Sequence, residues 1–214
     1  MPGEITALKV QPGKPNRVEV YLDGICALRI AKILALSLRI GQTLSQSDVE
    51  ALILDDQCER TYQHALDLIR RRPRSEKELR QRYQRKQVPG TVVDKVLARL
   101  RSEGTLDDQA FAHAWVENRL AFRPRGIRAL RYELRQKGVS DAEIEAAIQD
   151  VDEEQAAMDA ARKATRRYRH LSEDLFHKRL GAYLARRGFR YSLISTIVER
   201  MWLDVVNELG ESEG

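Results

Sequence analysis

The hydrophobic positions change period along the chain. In the first thirty residues they alternate: Val18, Val20 and Leu22 mark one face of Arg17–Asp23, as in a half-buried strand. A similar period-two stretch spans Glu4–Gln11. Gln11–Asn16 (QPGKPN) is rich in turn formers, and Asp23-Gly24 is a strong two-residue hairpin signal. Ile25–Ile30 then continues as a third strand or as a strand leading into helix. Gly41 closes this part, and Ser47 with Glu50 forms a capping box that predicts a helix starting near Asp48. Residues 1–45 thus read as a small β-rich cap, too small to be trusted as an independently stable domain.

From about residue 57 the apolar spacing is helical, and it repeats. Three stretches align at offsets of 51 and 50 residues, beginning at Leu79, Leu130 and Leu180. Four positions on stand Tyr83, Leu134 and Leu184; nine on, Val88, Val139 and Phe189; fourteen on, Val93, Ile144 and Ile194. Leu97, Ile148 and Val198 follow, then Leu100, Val151 and Met201. Val96, Ala147 and Ile197 complete the stripe. Between the two apolar runs lie a basic residue (Lys86, Lys137, Arg187) and then Gln87, Gly138 or Gly188. The basic residue complements the negative end of a helix, and Gly supplies a left-handed residue after it. Gln87 departs from the Gly pattern, so a differently built turn is expected there.

Each helix pair is preceded by another helix candidate, near Cys58–Arg71, Asp107–Phe122 and Glu153–Tyr168. The second carries Phe111, Ala114, Trp115, Asn118 and Phe122 along one side; the third carries a face of alanines from Ala156 to Ala164. The unit is therefore three helices, used three times. The expected fold is mainly α: three tandem three-helix repeats forming an elongated curved body, with a small β-hairpin-containing N-terminal segment. The expected divisions are 1–56 (β-rich segment with linking helix), 57–104, 105–152 and 153–214.

Composition sharpens the class. The chain has 214 residues, 32% of them charged, and only 6% aromatic. That balance suits a helical soluble protein and excludes collagen-like and low-complexity classes. The longest mostly apolar stretch, Ile25–Leu38, is too short and too charged to span a bilayer, and the start lacks the order of a signal peptide. A cytoplasmic location and no membrane partner are expected. Two cysteines, Cys26 and Cys58, make a disulfide framework improbable.

The net charge of +5 is segmented: −1 over residues 1–60, +10 over 61–137, −8 over 138–160, +8 over 161–192 and −4 over 193–214. Two basic blocks flank an acidic one, which suggests a polyanionic partner or an acidic protein surface. The bland reading is a set of solvated helix faces. The basic clusters recur at equivalent places, however. Arg70, Arg71, Arg72 and Arg74 surround Pro73, and Arg123, Arg125, Arg128 and Arg131 surround Pro124, each between first and second helices. Arg166, Arg167 and Arg169 precede the corresponding link of the third copy. Arginine is suited to planar carboxylate and phosphate contacts.

No catalytic constellation is legible. Asp107-Asp108, Asp55-Asp56 and Glu153-Glu154 sit at expected helix starts, where the dipole favours them. His64, His113, His170 and His177 lack the spacing of a metal site, and no phosphate-loop, dinucleotide or nucleophile-elbow motif is present. No catalytic residue, metal or cofactor is expected. Trp115 and Trp202 read as core, as do Leu79, Leu130, Leu180 and Ile144.

The stretch Arg74–Ile148 resembles the RecX family of bacterial recombinase regulators. Its text runs RSEKELRQRYQRKQVPGTVVDKVLARLRSEGTLDDQAFAHAWVENRL and continues through RPRGIRALRYELRQKGVSDAEIEAAI. Ser75, Glu78 and Leu79, the Asp107-Asp108–Phe111-Ala112 group, and Arg119, Gly126, Leu130, Leu134, Lys137, Gly138 and Val139 carry the likeness. It covers roughly a third of the chain and is looser from Glu153, where Gly181 interrupts an expected helix. The resemblance implies tandem three-helix repeats. It also implies a regulator that binds the RecA–DNA filament and alters its assembly and activity, usually by inhibition. The expected contact residues are Arg71, Arg72, Arg74, Arg123, Arg125, Arg128 and Arg131, with DNA, single- or double-stranded, touched through basic faces by a monomer. The competing reading is a nonspecific DNA-binding architectural protein that needs no recombinase.

Overall fold

The structure, a computed structural model, describes residues 2–211. It divides into two compact units, one ending at Leu106 and one beginning at Asp107.

The first unit opens with four strands: β1 (Gly3–Val10), β2 (Arg17–Leu22), β3 (Ile25–Ala31) and, after a short helix α1 (Lys32–Ala35), β4 (Thr43–Leu44). They form one antiparallel sheet in the order β3-β2-β1-β4. Asp23 and Gly24 both take positive φ, 48° and 82°, which gives the tight β2–β3 turn its hand. Val18, Val20 and Leu22 point into a core with Ile5, Leu28, Ile30 and Leu44, as their alternation predicts. The two-residue β4 is too short to show a period.

Helix α2 (Gln46–Arg71) differs from expectation in two ways. Its cap is Ser45, not Ser47. The Ser45 hydroxyl accepts from the Asp48 N–H at 3.2 Å, and Asp48 Oδ2 accepts from the Ser45 N–H at 2.8 Å. The same S-x-x-acid pattern thus works two residues earlier. The helix also runs unbroken for 26 residues, so the helix expected from Cys58 is its second half, and residues 56 and 57 both lie inside it. The first half packs Val49 and Leu52 on the sheet; the second packs Tyr62, Ala65 and Leu68 with α3 (Glu76–Arg85) and α4 (Gly90–Ser102).

Asp56 explains the continuity. Instead of starting a helix it is buried mid-helix, 4% exposed. It accepts from the Ala31 N–H at 2.8 Å and from Arg17 Nη1 at 2.5 Å, with Arg60 Nε at 3.1 Å. One carboxylate therefore ties β2, β3 and α2 together, and its charge is matched by two guanidinium groups.

The second unit holds α5 (Asp108–Phe122), α6 (Ile127–Lys137), α7 (Asp141–Ile148), α8 (Glu153–Tyr168), α9 (Glu173–Arg186) and α10 (Tyr191–Glu211). Of the twenty-one repeat positions aligned above, nineteen are buried; Val88 and Val151 are half-buried. The turn between second and third helices is built alike in all three repeats. Val88, Val139 and Phe189 each donate their N–H back to Tyr83, Leu134 and Leu184. Gln87 takes φ 55°, beside 85° at Gly138 and 83° at Gly188. The different turn expected at Gln87 is thus not found; the residue adopts the glycine conformation instead. Gly181 does not break α9. Phe122, expected on the packed side of α5, is 73% exposed.

The second and third repeats are joined within this unit by a second buried carboxylate. Glu153, 5% exposed, accepts from the Ile127 N–H at 3.0 Å and from Arg190 Nε at 2.8 Å. It caps the start of α6 from the first turn of α8.

Candidate partner-binding surface

The two expected arginine clusters fall at equivalent links, and a carboxylate of the following helix organises each. At the first link, α2 ends on Arg71, and Arg72 turns out of the helix at φ −164°. Arg72 Nη1 donates to Glu78 Oε2 at 2.9 Å and Nη2 to Oε1 at 3.3 Å, a two-pronged pair. Arg74 Nη1 lies 3.8 Å from the same carboxylate. Burial lowers the Arg74 pKa, and neighbouring Arg72 pushes the same way. Ser75 is wholly buried, and its hydroxyl accepts from the Glu78 N–H at 3.3 Å, which fixes where Glu78 emerges. Arg71 is exposed and makes no ion pair among the described residues.

At the second link the organiser is Glu133 of α6. Its Oε2 accepts from Trp115 Nε1 at 2.9 Å and from Arg119 Nε at 2.7 Å; Arg125 Nε lies 3.5 Å from its Oε1. The Trp115 ring is half-buried. Arg119 stacks over it at 4.4 Å and the Lys137 ammonium lies 4.8 Å from its centroid. Trp115 is therefore both the edge of the core, against Phe111, and a platform for two cations. Sequence reasoning found the core role and missed the platform, because Glu133 and Lys137 are on another helix. Arg131 makes a two-pronged pair with Glu145 of α7, at 2.8 and 3.0 Å. That bond raises the Arg131 pKa and lowers the Glu145 pKa. Arg123 and Arg128 are exposed, and neither makes an ion pair among the described residues.

The seven expected residues thus divide. Arg72, Arg74, Arg125 and Arg131 are positioned by carboxylates, with part of their charge already compensated. Arg71, Arg123 and Arg128 present uncompensated charge. In the first unit lie Arg71, Arg72 and Arg74; in the second lie the other four.

Other chemistry is sparse. His64 Nδ1 lies 3.0 Å from the Tyr83 hydroxyl, and Lys86 Nζ is 3.5 Å from its other ring nitrogen. Burial raises the Tyr83 pKa to about 12 and lowers that of His64, with Lys86 and Arg82 adding to the latter. Among the described residues no group of His, Cys, Asp and Glu side chains converges as metal ligands would. Asp107 is the N-cap of α5, accepting from the Ala110 N–H at 3.0 Å, as its position predicts. No described helix is long and apolar enough to cross a membrane.

Comparison with known proteins follows the same repeats. Residues 62–100 match the first three-helix domain of RecX, 107–148 the second, and 152–198 the third. The regulatory protein RecX of Geobacillus kaustophilus is 31% identical over 188 residues, which cover 85% of this chain and 70% of that one. The RecX of Streptomyces coelicolor is 36% identical over 152 residues, or 70% and 77% of the two chains. A crystal structure of a regulatory protein RecX superposes with a TM-score of 0.77 at 26% identity, covering 92% of this chain and 98% of that one. RecX from Lactobacillus salivarius, 22% identical with a TM-score of 0.59 over 70% of this chain and 99% of that one, shares the fold. With its three helical domains matched in order and two relatives above 30% identity, the chain belongs to the RecX family of regulatory proteins.

Proposed function

We propose that this protein binds the RecA–DNA filament in the cytoplasm and restrains its assembly, ATPase and strand exchange during recombination and repair. The observation that carries the reading is the ordered match to all three RecX helical domains. The surface chemistry supports it. Arg71, Arg72 and Arg74, with Arg123, Arg125, Arg128 and Arg131, offer guanidinium groups at corresponding links of two repeats. A filament presents the same acidic protein surface or phosphate at regular intervals. Modest affinity at each link then sums by multivalency. On this reading residues 57–104, 105–152 and 153–214 act as separate contact modules of a monomer, and 1–56 is an appended segment.

The test is titration of the protein into preformed RecA filaments while ATP hydrolysis and strand exchange are followed. A saturable fall in both supports the proposal. Unchanged hydrolysis and exchange at saturating protein contradict it.

A further inference from the structure

The third repeat lacks what tempers the first two. In the repeat frame, Glu78 stands one residue before Leu79, and Glu133 stands three residues after Leu130. The third-repeat counterparts are Arg179 and Tyr183. Neither carboxylate organiser is replaced, and one has become a cation.

A groove of about 580 Å³ lies where that change occurs, between the end of α8 and the exposed face of α9. Arg167, Lys178, Arg179 and Arg186 line it with His170, and no acidic side chain among the described residues does. None of the four cations makes an ion pair among the described residues. Lys178, Arg179, Ala182 and Arg186 share one helix face at three- and four-residue spacing. The small Ala182 leaves the middle of that face open. Tyr168, Leu171 and Leu175 add rings and apolar surface beside the cations, Leu175 being 48% exposed.

We infer that this third-repeat groove is a binding site for the backbone of single-stranded nucleic acid. Four uncompensated cations in a groove track a chain of phosphates. The tyrosine ring and leucines beside them receive unstacked bases, which a duplex keeps inside. A groove between two helices has room for one strand. This goes beyond the filament reading, because it requires no recombinase. It also assigns DNA contact to residues other than the seven arginines named above.

The test uses the full chain and a fluorescein-labelled oligothymidine, with no recombinase present, across a salt series from ~50 to ~200 mM. The groove variants are Lys178→Glu/Arg179→Glu and the neutral Lys178→Gln/Arg179→Gln. The charge-matched control is Lys95→Glu/Arg200→Glu, whose side chains are exposed elsewhere. Thermal midpoints of the groove variants should stay within ~2 °C of the parent, since exposed, unpaired side chains carry little stability. The groove variants should lose affinity by at least ~tenfold, and the salt slope should fall by about 1.4, two phosphates' worth for a single strand. The control should keep the parental slope. Equal loss in the control, an unchanged slope in the groove variants, or equally strong parental binding to a duplex each overturns the inference. Because RecA is absent, failure here leaves the filament proposal standing, and failure of that proposal leaves this result untouched.

Discussion

Gly126 and Gly188 touch backbone to backbone. A Cβ on Gly126 would lie 2.3 Å from the Gly188 carbonyl oxygen and 2.6 Å from the Phe189 nitrogen. The Gly126 N–H donates to Arg187 O at 3.0 Å, and Arg187 Nη1 returns a bond to Pro124 O at 2.9 Å. The second and third repeats are thus fastened at a point with no room for a methyl group. Gly126→Ala should destabilise the second unit by about 3 kcal/mol, the cost of overpacking against backbone that cannot yield. Both tryptophans, Trp115 and Trp202, lie in this unit, so their fluorescence in a urea titration follows its unfolding. A midpoint equal to the parent's would show that the close approach relaxes freely.

Gln87 is the converse case. It holds φ 55° where the other repeats use glycine. A left-handed residue with a Cβ costs about 1–2 kcal/mol, and the extra freedom of glycine in the unfolded chain returns about 0.5–1. Gln87→Gly should therefore stabilise the first unit by up to about 1 kcal/mol, and Gln87→Val should weaken it. Far-UV circular dichroism through a denaturant series measures both. A fall in stability for the glycine variant would mean that the glutamine side chain holds the turn.

Asp56 joins the sheet to α2 through Arg17, Arg60 and the Ala31 N–H. Asp56→Asn keeps an acceptor but leaves two cations without their anion. Arg17 is largely sheltered, while Arg60 is exposed and recovers water. A loss of about 2 kcal/mol is expected, the scale of charge-assisted hydrogen bonds. Amide exchange should rise first in β2 and β3. Uniform exchange across the unit would show that the carboxylate does not tie these elements selectively.

His64 gives the first unit a pH dependence. Its folded pKa is lowered by burial first and then by Lys86 and Arg82. The unfolded chain therefore binds the proton more readily. Stability is full above the ordinary histidine value of about 6.5 and declines as pH falls below it toward the lower folded value. His64→Gln should flatten the stability profile in that window. A parental profile unchanged in the variant would place the titration elsewhere.

The repeat was legible in the sequence because burial at up to seven positions per copy leaves a periodic record, and Leu79, Leu130 and Leu180 sit where that record predicts. Val18, Val20 and Leu22 declared their strand for the same reason. The long-range polar ties were not legible. Arg17 lies 39 residues from Asp56, and Arg190 lies 37 from Glu153, so each carboxylate resembled an ordinary cap in its local context. That misreading also cut α2 at residue 57. At the surface, the arginine clusters were visible as composition. Their division into carboxylate-held and free groups was not, because Glu78 and Glu133 reach them from separate helices. The acidic partners also explain why charge counts by segment overstate what the first two clusters offer a ligand.

The free members of those clusters give the cleanest test of the filament surface. Arg71→Glu, Arg123→Glu and Arg128→Glu disturb no ion pair among the described residues. Combined, they should weaken filament binding by at least ~tenfold while leaving the thermal midpoint within a few degrees of the parent's. A variant that melts early yet still binds would contradict the site assignment.

The most direct measurement is fluorescence anisotropy of labelled DNA across a salt series, with and without RecA and a non-hydrolysable nucleotide, with the protein titrated into each. Markedly tighter binding to the assembled filament than to bare DNA is expected at physiological salt. Equal affinity for both, with the same salt slope, would contradict it and leave a DNA-binding protein that ignores the recombinase.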